Sequence, residues 1–104
     1  MEQLNRIELR GIVGNARTQN VGEQSVTRFS VATDYTYKAK DGTPVVETTW
    51  HNCTVWSATA PDADKLERGK GVHLTGRLRM QRFVDANGIN HTITEVLVQS
   101  LKIL

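Results

Sequence analysis

Residues 72–83 read Val72-His73-Leu74-Thr75-Gly76-Arg77-Leu78-Arg79-Met80-Gln81-Arg82-Phe83. From Val72 to Met80, apolar or small residues alternate with polar ones, the signature of a half-buried β-strand. Side chains in a strand change face at every residue. Val72, Leu74, Gly76, Leu78 and Met80 therefore share one face, and His73, Thr75, Arg77, Arg79, Gln81 and Phe83 share the other.

The neighbours repeat this pattern. Downstream, Asp85-Ala86-Asn87-Gly88 is a hairpin turn with an Asn-Gly signal, and a last strand follows over about His91–Leu104. That strand carries apolar residues at both parities (Ile93, Val96, Leu97, Val98, Leu101, Ile103), which predicts cover on both sides. Upstream, Ser57–Arg68 predicts one short helix. Pro61 suits its first turn, Asp62 and Asp64 its positive end, and Gly69 and Gly71 its stop. Before it lie three strands. The first spans Arg6–Val13, with Ile7, Leu9, Gly11 and Val13 on one face. The second spans about Val26–Tyr37, with Phe29 and Val31 as core residues, and the third about Val45–Trp56. Lys40-Asp41-Gly42-Thr43-Pro44 joins the last two as a hairpin. Three strands, a short helix and two strands is the element order of the OB-fold, a five-stranded Greek-key barrel. The expected architecture is all-β, with residues 1–104 as a single OB-fold domain.

The third strand ends Trp50-His51-Asn52-Cys53-Thr54-Val55-Trp56. Cys53 and Val55 mark the core side, so Trp50 and Trp56 stand on the face expected to be wet. Leaving a large aromatic uncovered forfeits about 2–3 kcal/mol of burial. Bases, a sugar or another subunit would have to cover that face. The fourth strand adds Arg77, Arg79, Arg82 and Phe83 with no acid, whereas Asp62, Asp64 and Glu67 gather in the helix region. Charge is segregated although the 104-residue chain carries only +2 overall. Cations that follow phosphates, interleaved with rings that stack on bases, are what unpaired nucleic acid requires, and each stack contributes about 1–3 kcal/mol. The candidate platforms are Trp50, Trp56, Phe83 and one or both of Tyr35 and Tyr37. Tyr37 has the parity of Phe29 and Val31 and would point inward unless the strand bulges.

Other classes find little support. His51, His73 and His91 are scattered, and no metal spacing, nucleotide loop or nucleophile motif appears, so neither catalysis nor a cofactor or metal is expected. One cysteine excludes an internal disulfide framework and fits a reducing, cytoplasmic compartment. No apolar run approaches a membrane span. A carbohydrate-binding or purely structural barrel is the alternative in which the tryptophans stack on sugars or pack an interface.

Several segments resemble the bacterial single-stranded DNA-binding protein family: Asn5-Arg6-Ile7-Glu8-Leu9-Arg10-Gly11-Ile12-Val13-Gly14-Asn15, Phe29-Ser30-Val31-Ala32-Thr33, Glu47-Thr48-Thr49-Trp50-His51-Asn52-Cys53, Lys65-Leu66-Glu67-Arg68-Gly69, Gly76-Arg77-Leu78-Arg79 and Thr94-Glu95-Val96-Leu97-Val98. The resemblance implies an OB-fold subunit of a homotetramer around which single-stranded DNA wraps, in the bacterial cytoplasm. It implies base stacking at Trp50, Trp56, Phe83 and Tyr37, and DNA contacts from Arg6, Lys38, Arg68, Arg79 and Arg82. It places His51 at subunit assembly. Many members carry tryptophan where Tyr37 and Phe83 stand, and phenylalanine where Trp56 stands. Members usually continue into a glycine- and glutamine-rich tail with an acidic tip. The sequence here stops at Leu101-Lys102-Ile103-Leu104, so tail-mediated recruitment of other proteins is not expected. A short chain of this kind also resembles the primosomal replication protein N family, an OB-fold dimer. The Thr-Trp-His segment and the arginine-rich fourth strand favour the tetrameric relative.

Overall fold

A computed structural model describes all residues, Met1–Leu104. Five strands form a closed barrel: β1 (Ile7–Val21), β2 (Gln24–Lys38), β3 (Pro44–Trp56), β4 (Gly71–Val84) and β5 (Asn90–Ile103), in the spatial order β1-β2-β3-β5-β4. Antiparallel pairing of β1 with β4 closes one side. A short parallel contact, Cys53 with Val96 and Thr54 with Leu97, closes the other. This is the all-β OB barrel that the element order predicts.

The core is aliphatic, with Leu9, Val13, Phe29, Val31, Cys53, Val55, Val72, Leu74, Val96 and Val98 all buried. Two register shifts decide which residues reach it. Between Val13 and Ala16, β1 takes one residue more than β2. Leu9 and Val13 point inward before that bulge, and Ala16, of opposite parity, packs on the core after it. In β5 the extra residue is Gln99, because Thr75 pairs with Ser100 while Gly76 pairs with Val98. Val96 and Val98 therefore share the inner side with Leu101 and Ile103. The bulge accounts for Leu101 and Ile103, while over residues 95–98 the strand is covered on both faces as expected, with Glu95 buried and Leu97 half-buried at the parity opposite Val96 and Val98.

Four sequence expectations change. The first strand, expected over Arg6–Val13, runs on past its bulge to Val21 and pairs with β2 along that extension. The helix expected within Ser57–Arg68 is a five-residue 3-10 turn, Pro61–Lys65, whose N-cap makes no side-chain hydrogen bond. Its buried Ala63 and the following Leu66 join the barrel core. The segment is too short to repay α-helix nucleation. Leu78 and Met80 have core parity but lie exposed. The β4–β5 hairpin overruns the barrel there and has no core behind it. The same reason applies to Tyr37, which has core parity yet is 40% exposed without any bulge in its register with β3. Its hydroxyl donates to Glu47 Oε1 at 3.5 Å, and its ring lies 6.2 Å from that of Tyr35. Gly42 and Gly88 adopt φ of 85° and 77° in the two long hairpin turns, the left-handed backbone that the Asp-Gly and Asn-Gly signals anticipate.

Candidate nucleic-acid interface

The outer face of β3 carries Trp50, Asn52, Thr54 and Trp56. Glu95 of β5 ties this row to β4. Its Oε2 accepts from Thr54 Oγ1 at 2.7 Å and its Oε1 from Arg79 Nε at 2.6 Å. By alternation, Arg79, Gln81 and Phe83 on β4 and Glu95, Ile93 and His91 on β5 stand on that same face. A cleft of about 510 Å³ runs between the two halves. Asn15, Ser30, Asn52 and Thr54 line it on one side, and Gln81 and Glu95 on the other. The structure thus brings Trp50, Trp56, Phe83 and Arg79 onto one surface.

Trp50 is 59% exposed. Its ring lies over Gly14, close enough that a Cβ on that residue would fall 2.3 Å from Trp50 Cζ3. A bare backbone is therefore the seat of the indole. Arg68 belongs to this corner, since its Nε donates to Gly14 O at 2.8 Å. Ser30 Oγ donates to Asn15 Oδ1 at 3.0 Å and braces the neighbouring backbone. Trp56 is half-buried opposite Val26, a buried residue outside the main core. Phe83 is 44% exposed.

The other expected residues spread further. Tyr37 lies on the opposite face of the β2–β3 ribbon from Trp50, by parity. Lys38 ends β2 and Arg6 precedes β1, both exposed. Arg82 projects from the face of β4 opposite Phe83. Neither Arg6, Lys38, Arg68 nor Arg82 forms an ion pair; Arg79 alone of the candidate cations does. Only its Nε is used, so its terminal nitrogens keep free N–H groups. His51 is half-buried, and its Nε2 is 2.8 Å from Thr33 Oγ1.

Sequence reasoning missed Arg17 and Arg28. They sit directly opposite each other in the β1–β2 ladder and both line the cleft. Like charges facing each other across a ladder are unfavourable, and no acid pairs with either. Their pairing is set by the short turn at Gly22 and Glu23, from which the ladder runs in one register back to Ala16 and Phe29. Arg17 lies in the part of β1 beyond Val13, the end that the sequence predicts for the strand.

Two ionisable sites carry shifts of interest. Burial, reinforced by the charge of Glu95, pushes the Cys53 thiol up to about 12. Asp85 is held below its ordinary value by its hydrogen bond with His91, then by the backbone N–H groups of Ile89 and Asn87.

A profile of the Single-strand binding protein family matches residues 4–104. The chain belongs to the single-strand binding protein family. It is 33% identical over 105 residues to the single-stranded DNA-binding protein of Neisseria meningitidis serogroup A, covering 97% of this chain and 60% of that one. The chain therefore spans less than two thirds of that relative's length. It is 30% identical to single-stranded DNA-binding protein 1 of Xylella fastidiosa strain 9a5c, covering 100% of this chain and 79% of that one. Among solved structures it is similar to one described as Plasmodium falciparum SSB in complex with ssDNA. The TM-score is 0.88 at 26% identity, over 100% of this chain and 97% of that chain.

Proposed function

We propose that this barrel binds single-stranded DNA with little regard to sequence, protecting it in replication, recombination or repair. The observation that carries the reading is the outer surface that by strand alternation bears Trp50, Trp56, Phe83 and Arg79, with Arg17 and Arg28 lining the cleft that runs across it. Bases stack on the three rings, and phosphates run past the guanidiniums. Arg68, held against Gly14, adds a cation beside Trp50. Arg6, Lys38 and Arg82 lie off this face and meet DNA that continues around the barrel. Tyr37 joins as a platform where the strand passes the far side of the β2–β3 hairpin. Wrapping of this kind suits a homotetramer, with His51 at subunit assembly. No catalytic step is part of the function.

Family membership and the likeness to a DNA complex support this reading. Titration with oligo(dT), followed by tryptophan fluorescence, tests it. Strong quenching is expected, and affinity should fall with salt by a log–log slope of roughly 0.7 per phosphate neutralised. Unchanged fluorescence and no salt-dependent binding would refute it. Mass measurement in solution tests the tetramer.

A further inference from the structure

The tip of the β4–β5 hairpin holds a group that the stacking-and-phosphate account leaves unused. His91 lies directly opposite Phe83 in the ladder. The two rings are stacked, with centroids 5.0 Å apart and planes 15° from parallel. One side of Phe83 is thus already occupied, and a base can lie only on the other. His91 Nε2 is 2.7 Å from Asp85 Oδ2. Asp85 is itself fixed, because its Oδ1 accepts from the backbone N–H groups of Asn87 at 2.9 Å and Ile89 at 3.0 Å. An ionised carboxylate only accepts, so Nε2 carries the proton and Nδ1 is left without a partner. The turn therefore locks the imidazole in one orientation beneath the platform, with Nδ1 open.

The geometry points to His91 as a further contact of the single-strand site: it stacks under Phe83, and its second ring nitrogen takes up a proton to bind a DNA phosphate. This inference rests on the single-strand reading above. Imidazole is the side chain whose charge changes between pH 5 and 8. When His91 is neutral, the nearest charge at the tip is the Asp85 carboxylate, which repels phosphate. Once Nδ1 is protonated, the imidazolium offsets Asp85 and presents an N–H to the backbone of a base stacked on Phe83. The charged groups that face His91 are few. Asp85 comes from the turn, and the Arg79–Glu95 pair lies further along the same face, beyond Gln81 and Ile93. Arg82 projects from the opposite face of β4. Nothing else charged on the hairpin duplicates the role of His91 at that point.

The test is oligo(dT) affinity of the full chain against salt, measured at pH 6 and pH 8. For the unaltered protein, affinity at pH 6 should be up to about fivefold higher, the scale of one partly exposed ion pair. The log–log salt slope should steepen by roughly 0.7, the signature of one more phosphate neutralised. His91→Gln should remove both differences. His91→Arg should show the steeper slope at both pH values. His91 is exposed, so both variants should fold, and circular dichroism checks that they do. A pH-independent slope in the unaltered protein would overturn the inference, as would a pH dependence that survives in His91→Gln. Either result leaves the single-strand reading standing. Loss of oligo(dT) binding at both pH values would instead refute that reading itself.

Discussion

The Gly14→Ala variant tests the seat of Trp50 most sharply. A methyl group there would lie 2.3 Å from Trp50 Cζ3 and 2.8 Å from both Trp50 Cη2 and Ser30 Oγ. Carbon atoms prefer separations of about 3.5–4.0 Å, so the ring must retreat by more than about 1.2 Å. Gly14 is not among the glycines with positive φ, so alanine meets no backbone penalty. The nearest obstacle is the far end of a side chain that is 59% exposed, so the indole can swing outward, and the Ser30 hydroxyl must turn aside from its bonds to Asn15 as well. We expect a folding cost below about 1 kcal/mol, less than the 1–3 kcal/mol typical of an overpacked core. Binding should suffer more. A stacked base contributes about 1–3 kcal/mol, and a displaced platform should forfeit about 1 kcal/mol of that, or roughly fivefold in oligo(dT) affinity. Urea unfolding and fluorescence titration separate the two effects. The deciding measurement is a double-mutant cycle with Trp50→Ala, in which Gly14→Ala should have no further effect on binding. If Gly14→Ala weakens binding equally without the indole, or melts the barrel, Trp50 is not seated as argued.

Gly11→Ala makes the contrasting case, because its Cβ would meet the backbone Ala32 O at 2.2 Å. Nothing there can swing away, so the barrel should lose about 1–3 kcal/mol or more in urea unfolding; a neutral result would mean the β1–β2 approach is looser than described. Glu95→Ala strands Thr54 and Arg79, and should cost about 1–3 kcal/mol. Replacing both Glu95 and Arg79 with leucine and methionine should recover much of that loss in chemical denaturation; no recovery would show that the pair itself is strongly stabilising. Cys53 should resist iodoacetamide at pH 8 in the native protein and react only on unfolding. Its thiol is raised in the fold, so the stability it contributes is complete below 9.0 and is lost as pH climbs toward 12. A cysteine-to-serine variant with an unchanged alkaline unfolding profile would contradict that assignment.

The alternation from Val72 onward, the Asp-Gly and Asn-Gly turns and the order of elements carried the barrel, because burial of one sheet face imposes a period of two on the sequence. The same period placed Trp50 and Trp56 outside, opposite Cys53 and Val55, and the segments shared with relatives marked the candidate ligand groups. Tertiary structure decided where that period holds. Two single-residue bulges brought Ala16, Leu101 and Ile103 to the core side, and a bulge is a matter of pairing between strands that no single strand records. Hairpins longer than the barrel left Tyr37, Leu78 and Met80 with core parity but no core. The Gly14 floor under Trp50, the facing Arg17 and Arg28, the Thr54–Glu95–Arg79 chain and the Phe83–His91–Asp85 stack all join residues on different strands or across a turn. Their chemistry comes from register and closure: the turns fix the register within each hairpin, and closure of the barrel brings β1 against β4 and β3 against β5.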